Sequence, residues 1–320
     1  MKTTIILLIL LVTGFITLSQ PPKINNLDQA AYLKKTVGIK PDFIAIDGNY
    51  AWIVDDHQNR ILKISPTQAA PLLTVTVPEA CTSPIVGFGA IWVMSCTEKN
   101  LYKIDHNTGK VLAKIPTGIA DSGGEMSLAI GYQSVWILTD ISGVLTGVNG
   151  TTQKIEHQIK VLPNSYGITF GLGSVWISNY TNNSVQRINP ATHSIIATIS
   201  VGKKPRFIAT DNQFIWTLNQ GDGSVSKIDP SKNQLVANID VQAMGGGGDI
   251  AAGNGKVWVN CINNSKPIQV IDQKTNRVET IYRQTPPKAG PFKVDGSVKI
   301  AKDYIWISGY HSKTVWVMKK

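Results

Sequence analysis

The chain has 320 residues, 42% of them apolar and 16% charged, which supplies a substantial core and excludes wholesale disorder. Its 28 Gly and 16 Pro suit many short strands joined by turns better than an α-rich fold. The formal charge is +10, but Lys and Arg are scattered without a run of five or six, so no nucleic-acid partner is expected.

The first predicted element is a targeting segment. Lys2 precedes an apolar stretch from Ile5 to Leu18, and Thr17 and Ser19 are the small residues before Gln20. This predicts a signal peptide over 1–19, cut after Ser19, and hence a secreted or periplasmic, extracytoplasmic protein. The stretch is short against the roughly 20 residues of a spanning helix. Membrane contact is expected only if the segment stays uncleaved as an anchor. Residues 20–30 are expected to form a short N-terminal segment, and 31–320 a single domain.

Within 31–320 a unit of about 40 residues repeats. Trp52, Trp92, Trp136, Trp176, Trp216, Trp258 and Trp306 recur in the contexts YAWIV, AIWVM, SVWIL, SVWIS, FIWTL, KVWVN and YIWIS. Each is preceded by a short apolar run, such as FIAI 43–46 or FIAT 207–210, and followed by a polar loop. A third run comes next (ILKIS 61–65, VQRIN 185–189, VSKID 225–229), then a turn and a fourth (VLAKIP 111–116, IIATISV 195–201). Short runs rich in β-branched and aromatic residues between turn signals read as strands. The fold class is all-β: a seven-bladed β-propeller of four-stranded antiparallel blades. The seventh unit has only three strands, ending in TVWVMKK 314–320. YLKKTVGIKPDFIAI (32–46) matches IATISVGKKPRFIAT (196–210), so a strand around Tyr32–Gly38 is expected to complete the last blade beside 314–318. Such closure removes the exposed sheet edge.

The Val-Gly-x-x-Pro, Trp/Tyr-Val-x-Asn and Ile-Asp-Pro elements resemble the YVTN-repeat propellers. They also resemble the streptogramin-lyase-like (virginiamycin B lyase-like) propellers, in which Trp-containing second strands recur. The resemblance spans roughly residues 32–320. It implies a seven-bladed propeller and, for the lyases, elimination across a lactone ester by a His and a Glu with a divalent cation. In those propellers the third residue after the tryptophan is frequently Glu. Here these positions hold Asp55, Ser95, Thr139, Asn179, Asn219, Cys261 and Gly309.

Loops between blades and loops joining strands two and three share one face of an antiparallel ring, and loops on a rigid scaffold carry function. Three of these loops are longer or richer than the repeat needs. GIADSGGEM (118–126) brings Asp121 and Glu125, AMGGGGDIA (243–251) puts four glycines before Asp249, and QTPPKAGPFKVDGS (284–297) brings Lys288, Phe292 and Lys293. The ligand-binding candidates on this face are Asp121, Asn179, Tyr180, Arg206, Asn219, Asp249 and Tyr310. The catalytic candidates are Asp55, His57, Glu125 and His311.

No Gly-x-Ser-x-Gly elbow, paired Cys/His zinc spacing or Cys-x-x-Cys-His haem motif occurs, and no metal site or cofactor is identified. A divalent cation is expected only in an enzyme. The expected function is an exported propeller that binds a small molecule or a protein on this face without catalysis. The alternative is a lyase or hydrolase of a lactone-like or sugar-derived substrate. The repeated tryptophans are expected to pack between blades. Third-strand Lys63, Lys103, Arg187 and Lys227 should lay their stems across the blade and send their heads to a partner or to water. Cys81 enters strand one of blade two and Cys96 leaves strand two, at the same end of adjacent strands, so the two are expected to be disulfide-bonded with Cys261 left over.

Overall fold

The computed structural model describes residues 20–320 apart from 37–39, 56–57, 69, 122–125, 140, 264 and 284–293. The predicted segment 1–19 and residues His57, Glu125, Lys288, Phe292 and Lys293 therefore lie outside the described residues.

Seven sheets form the ring, and apart from the two N-terminal strands each is antiparallel and ordered along the chain from the axis outwards. Blades one to seven begin at Pro41, Ile85, Met126, Ser165, Pro205, Asp249 and Val298. Second strands such as Ser134–Thr139 and Ser174–Asn179 are buried at every residue, because neighbouring blades cover both of their faces. Outer strands such as Ile195–Ser200 are mostly exposed and are buried mainly at Ile199.

The ring closes as the sequence predicts. Strand β1 (Lys23–Asn26), helix α1 (Leu27–Ala30) and strand β2 (Leu33–Thr36) precede blade one. β2 pairs antiparallel with Thr314–Lys319, from Leu33 opposite Val317 to Thr36 opposite Thr314, and becomes the outer strand of blade seven. β1 was not legible as a strand. It adds in parallel to Arg277–Arg283 as a fifth strand of blade six, with Lys23 opposite Thr280. Its sequence, KINN, is short and lacks apolar alternation, so only the tertiary edge makes it a strand. α1 crosses between blades six and seven. There Leu27 is fully buried, and Asp28 Oδ1 accepts the indole N–H of Trp316 at 2.8 Å.

Trp52, Trp92, Trp136, Trp176, Trp216 and Trp306 are all fully buried, and Trp258 stacks on Tyr282 at 5.7 Å. A buried indole removes about 200 Å2 from water, or about 5 kcal/mol at 25 cal/mol per Å2. The third-strand cations sit over these rings and reach across to the following blade. Lys63 donates to His106 O at 2.7 Å, Lys103 to Gly150 O at 3.2 Å, and Arg187 to Pro230 O at 2.7 Å. Blade three breaks this series. Gly147 stands opposite Trp136, and a Cβ there would fall 2.9 Å from the indole. His157 stacks over Trp136 instead and meets His193 of blade four at 3.9 Å between ring centroids.

Cys81 and Cys96 are bonded, with their Cα atoms 5.8 Å apart. Cys261 is a free, buried thiol, and burial pushes its pKa up to about 11.

Candidate functional site

The candidate face carries two side-chain clusters. The first is built by blades four and five. In Ser165–Gly171 the register shifts between Ser165 and Gly167, and in Pro205–Thr210 it shifts between Pro205 and Phe207. These are bulges, which locally re-aim a side chain, and they fall at Tyr166 and Arg206. The Arg206 guanidinium lies over the Tyr166 ring at 4.4 Å. Tyr166 meets Tyr180 edge-on at 5.4 Å, and Lys204 Nζ stands 5.5 Å from the Tyr180 centroid. Burial lowers the pKa of Arg206, and the charge of Asp121 opposes that shift. The guanidinium is therefore partly buried against an aromatic face with a carboxylate in its field. Beside it, Tyr180, Thr181, Asn183, Lys203 and Lys204 line a hollow of about 290 Å3.

Asn179 shapes this cluster from beneath. It is fully buried, donates to Pro163 O at 2.7 Å and Ser165 Oγ at 3.0 Å, and accepts from Asn182 N at 2.8 Å. With both ends of its amide engaged, it fixes the loop that presents Tyr180. Asn219 has the same role one blade on. It donates to Ser224 Oγ and Ser226 Oγ and accepts from Thr217, again fully buried.

The second cluster lies where blade seven meets blade one. His311 Nδ1 is joined to Asp295 Oδ2, and Asp295 Oδ1 accepts the His311 backbone N–H at 3.2 Å. Asp295 is nearly buried and His311 about half exposed. Tyr310 packs edge-on to His311 at 5.1 Å, with Lys40 Nζ 5.3 Å from the Tyr310 centroid. Asp55 lies behind Lys40, accepting its backbone N–H at 3.3 Å and the Arg60 Nε–H at 2.7 Å. Asp55 is therefore a buried, ion-paired brace of its loop.

Asp249 belongs to neither cluster. It lines the axial channel, a cavity of about 420 Å3 walled mainly by apolar side chains of the first strands. Lys299 pairs with its Oδ2 at 2.6 Å, and the Ile250 and Val298 backbone N–H groups also donate to its carboxylate.

The structure thus brings Tyr180, Arg206 and Asp121 into one neighbourhood and Tyr310 and His311 into another. Tyr166, Lys204 and Asp295 join them without having been singled out in the sequence. The bulges that aim Tyr166 and Arg206 have no signature in composition or period. Among the described residues no three His, Cys, Asp or Glu side chains gather as metal ligands. The cation that the lyase resemblance implies finds no matching donor set there.

No family model matches the chain, and no curated protein matches it by sequence. Solved structures do match. The ring is similar to that of a streptogramin B lyase. That structure superposes with a TM-score of 0.71 at 16% identity, over 88% of this chain and 93% of the other. Selenomethionine-substituted virginiamycin B lyase from Staphylococcus aureus gives 0.69 at 14%, over 88% and 95%. The Pan2 WD40 domain of Neurospora crassa gives 0.67 at 11%, over 88% and 89%. Identities this low establish a shared seven-bladed architecture, which many unrelated activities use.

Proposed function

We propose that this chain is an exported binding propeller that takes a small molecule on its loop-rich face, at the platform of Tyr166, Tyr180, Lys204 and Arg206. The observation that carries this reading is the partly buried Arg206 guanidinium stacked on Tyr166. A planar, partly buried cation beside aromatic edges suits a ligand with a carboxylate or similar anionic group on a flat or sugar-derived body. The Cys81–Cys96 disulfide supports an oxidising, extracytoplasmic location. The test is thermal shift with benzoate and glucuronate as probes, since a bound ligand raises Tm by mass action. A shift in the wild type that vanishes in Arg206→Ala and Tyr180→Ala supports the reading. No shift with either probe, or an equal shift in the variants, removes it.

The His311–Asp295 pair favours a second reading, a lyase or hydrolase of a lactone-like substrate. With Nδ1 engaged by Asp295, the imidazole would accept a proton at Nε2, in the arrangement of a base oriented by a carboxylate. Lactone turnover lost in both His311→Ala and Asp295→Asn, with Arg206→Ala still active, would select this reading over binding alone.

A further inference from the structure

The face opposite the candidate site has its own character. It is formed by the turns joining strands one to two and three to four. Among the described residues, the large apolar side chains exposed on the candidate face are Ile141, Met244 and Ile262, and Ile24 is exposed on the outer edge. All the other exposed large apolar side chains lie on the opposite face. They form two sets. Tyr50, Phe88, Tyr132 and Leu172 stand at the one-to-two turns, and Leu112, Ile155, Ile195, Ile196, Leu235 and Val236 form a rim where the outer strands begin. Phe88, Tyr132 and Leu172 hold φ of 49°, 51° and 52°. Asn or Gly usually occupies such tight hairpin positions, so a bulky apolar residue there is strained by about 1 kcal/mol or more.

Many of the acids on this face are engaged by their own turns. Asp105, Asp229 and Asp272 accept backbone N–H groups of their own turns, from Thr108, Ser231 and Thr275, each at 2.8 Å, and Asp229 also pairs with Lys232 at 3.4 Å. The cations of the same turns, Lys110, Lys154, Lys232, Lys274 and Arg277, are exposed. The exposed charges of this face are therefore mostly basic, with Glu156 and Asp303 as its exposed acids among the described residues, and they stand among the apolar side chains. The chain also enters the fold from this side. β1 runs parallel to Arg277–Arg283, which starts at this face, so the residues before Lys23 lead towards it. They follow the apolar stretch Ile5–Leu18.

From these three features we infer that the turn face opposite the candidate site docks on an anionic lipid bilayer, with the apolar rim at the headgroup boundary and the turn lysines over the lipid phosphates. Apolar side chains interspersed with Lys and Arg are the composition that binds such surfaces, by apolar burial plus charge attraction. This orientation leaves the loop-rich face turned to solvent, and it does not depend on what that face binds.

The test is co-flotation of the full-length chain with vesicles of phosphatidylcholine alone, or with about 30 mol% phosphatidylglycerol. The inference requires binding that rises with phosphatidylglycerol and weakens with salt. Lys232→Glu/Lys274→Glu should weaken it roughly tenfold or more, since each surface cation contributes about fivefold. Ile196→Thr/Val236→Thr should weaken it without changing Tm, because both side chains are exposed. Binding that is equal on both vesicles, or unchanged in both double variants, overturns the inference: the N-terminal stretch alone would then hold the lipid. A protein captured through the rim while vesicles are ignored overturns it too.

Discussion

Lys227 Nζ stands 5.1 Å from the ring centroid of Trp216 and donates to the backbone carbonyl of Gln273 in the next blade at 2.8 Å. One side chain thus covers the packing tryptophan of its own blade and ties down a turn of its neighbour. Arg187 does the same over Trp176, 5.0 Å from its centroid, with bonds to Pro230 O and Asn233 Oδ1. Arg187→Met keeps the stem and removes the tether. It should destabilise the fold by about 1–3 kcal/mol, read from denaturant midpoints. Adding Lys227→Met should increase the loss, because each bridge serves a different blade junction.

The junction between blades three and four lacks such a tether and should respond to acid. Burial and the neighbouring charge of His157 both lower the pKa of His193 below its ordinary 6.5. On acidification the unfolded chain protonates first, so stability falls as pH drops below about 6.5 towards the lowered folded value. Chemical denaturation across pH 7 to 5 should show this slope in the wild type and a shallower one in His193→Gln.

Lys35 titrates at the other end of the scale. It reaches Ser65 O of blade one at 3.3 Å, and burial lowers its pKa to about 8. Between pH 8 and the ordinary value of 10.5 the unfolded chain holds the proton that the folded chain has released. Stability should therefore gain from Lys35 as pH rises through this window. The difference between wild type and Lys35→Met, measured at pH 7 and pH 9.5, isolates that gain from other titrating groups.

Two positions test covalent and steric restraints. Reducing Cys81–Cys96, or replacing both residues by Ser, opens a loop with a sequence separation of 15 and should cost about 3 kcal/mol. Gly147→Ala should lower Tm by several degrees, because the added Cβ meets the six-membered ring of Trp136.

How far the sequence speaks depends on whether the answer is periodic. The tryptophan spacing gave the blade number, and the match between 32–46 and 196–210 gave the closing strand, since both rest on repetition. The Cys81–Cys96 bond followed from register. The site was less legible. Asn179 and Asn219 sit in the right loops, yet both are buried amide braces, because a short polar side chain at a strand end is used by the nearest unpaired backbone groups. Tyr166 and Arg206 came together through bulges, and Asp295, near the end of an insertion, met His311 across the first two strands of blade seven. Neither event leaves a period or a spacing to read.

The pairing of β2 with Thr314–Lys319 joins residues about 280 positions apart, whereas most other strands pair with a neighbour next in sequence. Six blades consist mainly of hairpins local in sequence. The seventh is complete only when Thr314–Lys319 meets β2, and β1 needs blade six. Loop-closure entropy makes such distant pairings the slow steps of folding. β1 and β2 are therefore among the last strands to find their partners. A chain truncated by even its final strand would keep six nearly finished blades and an open ring.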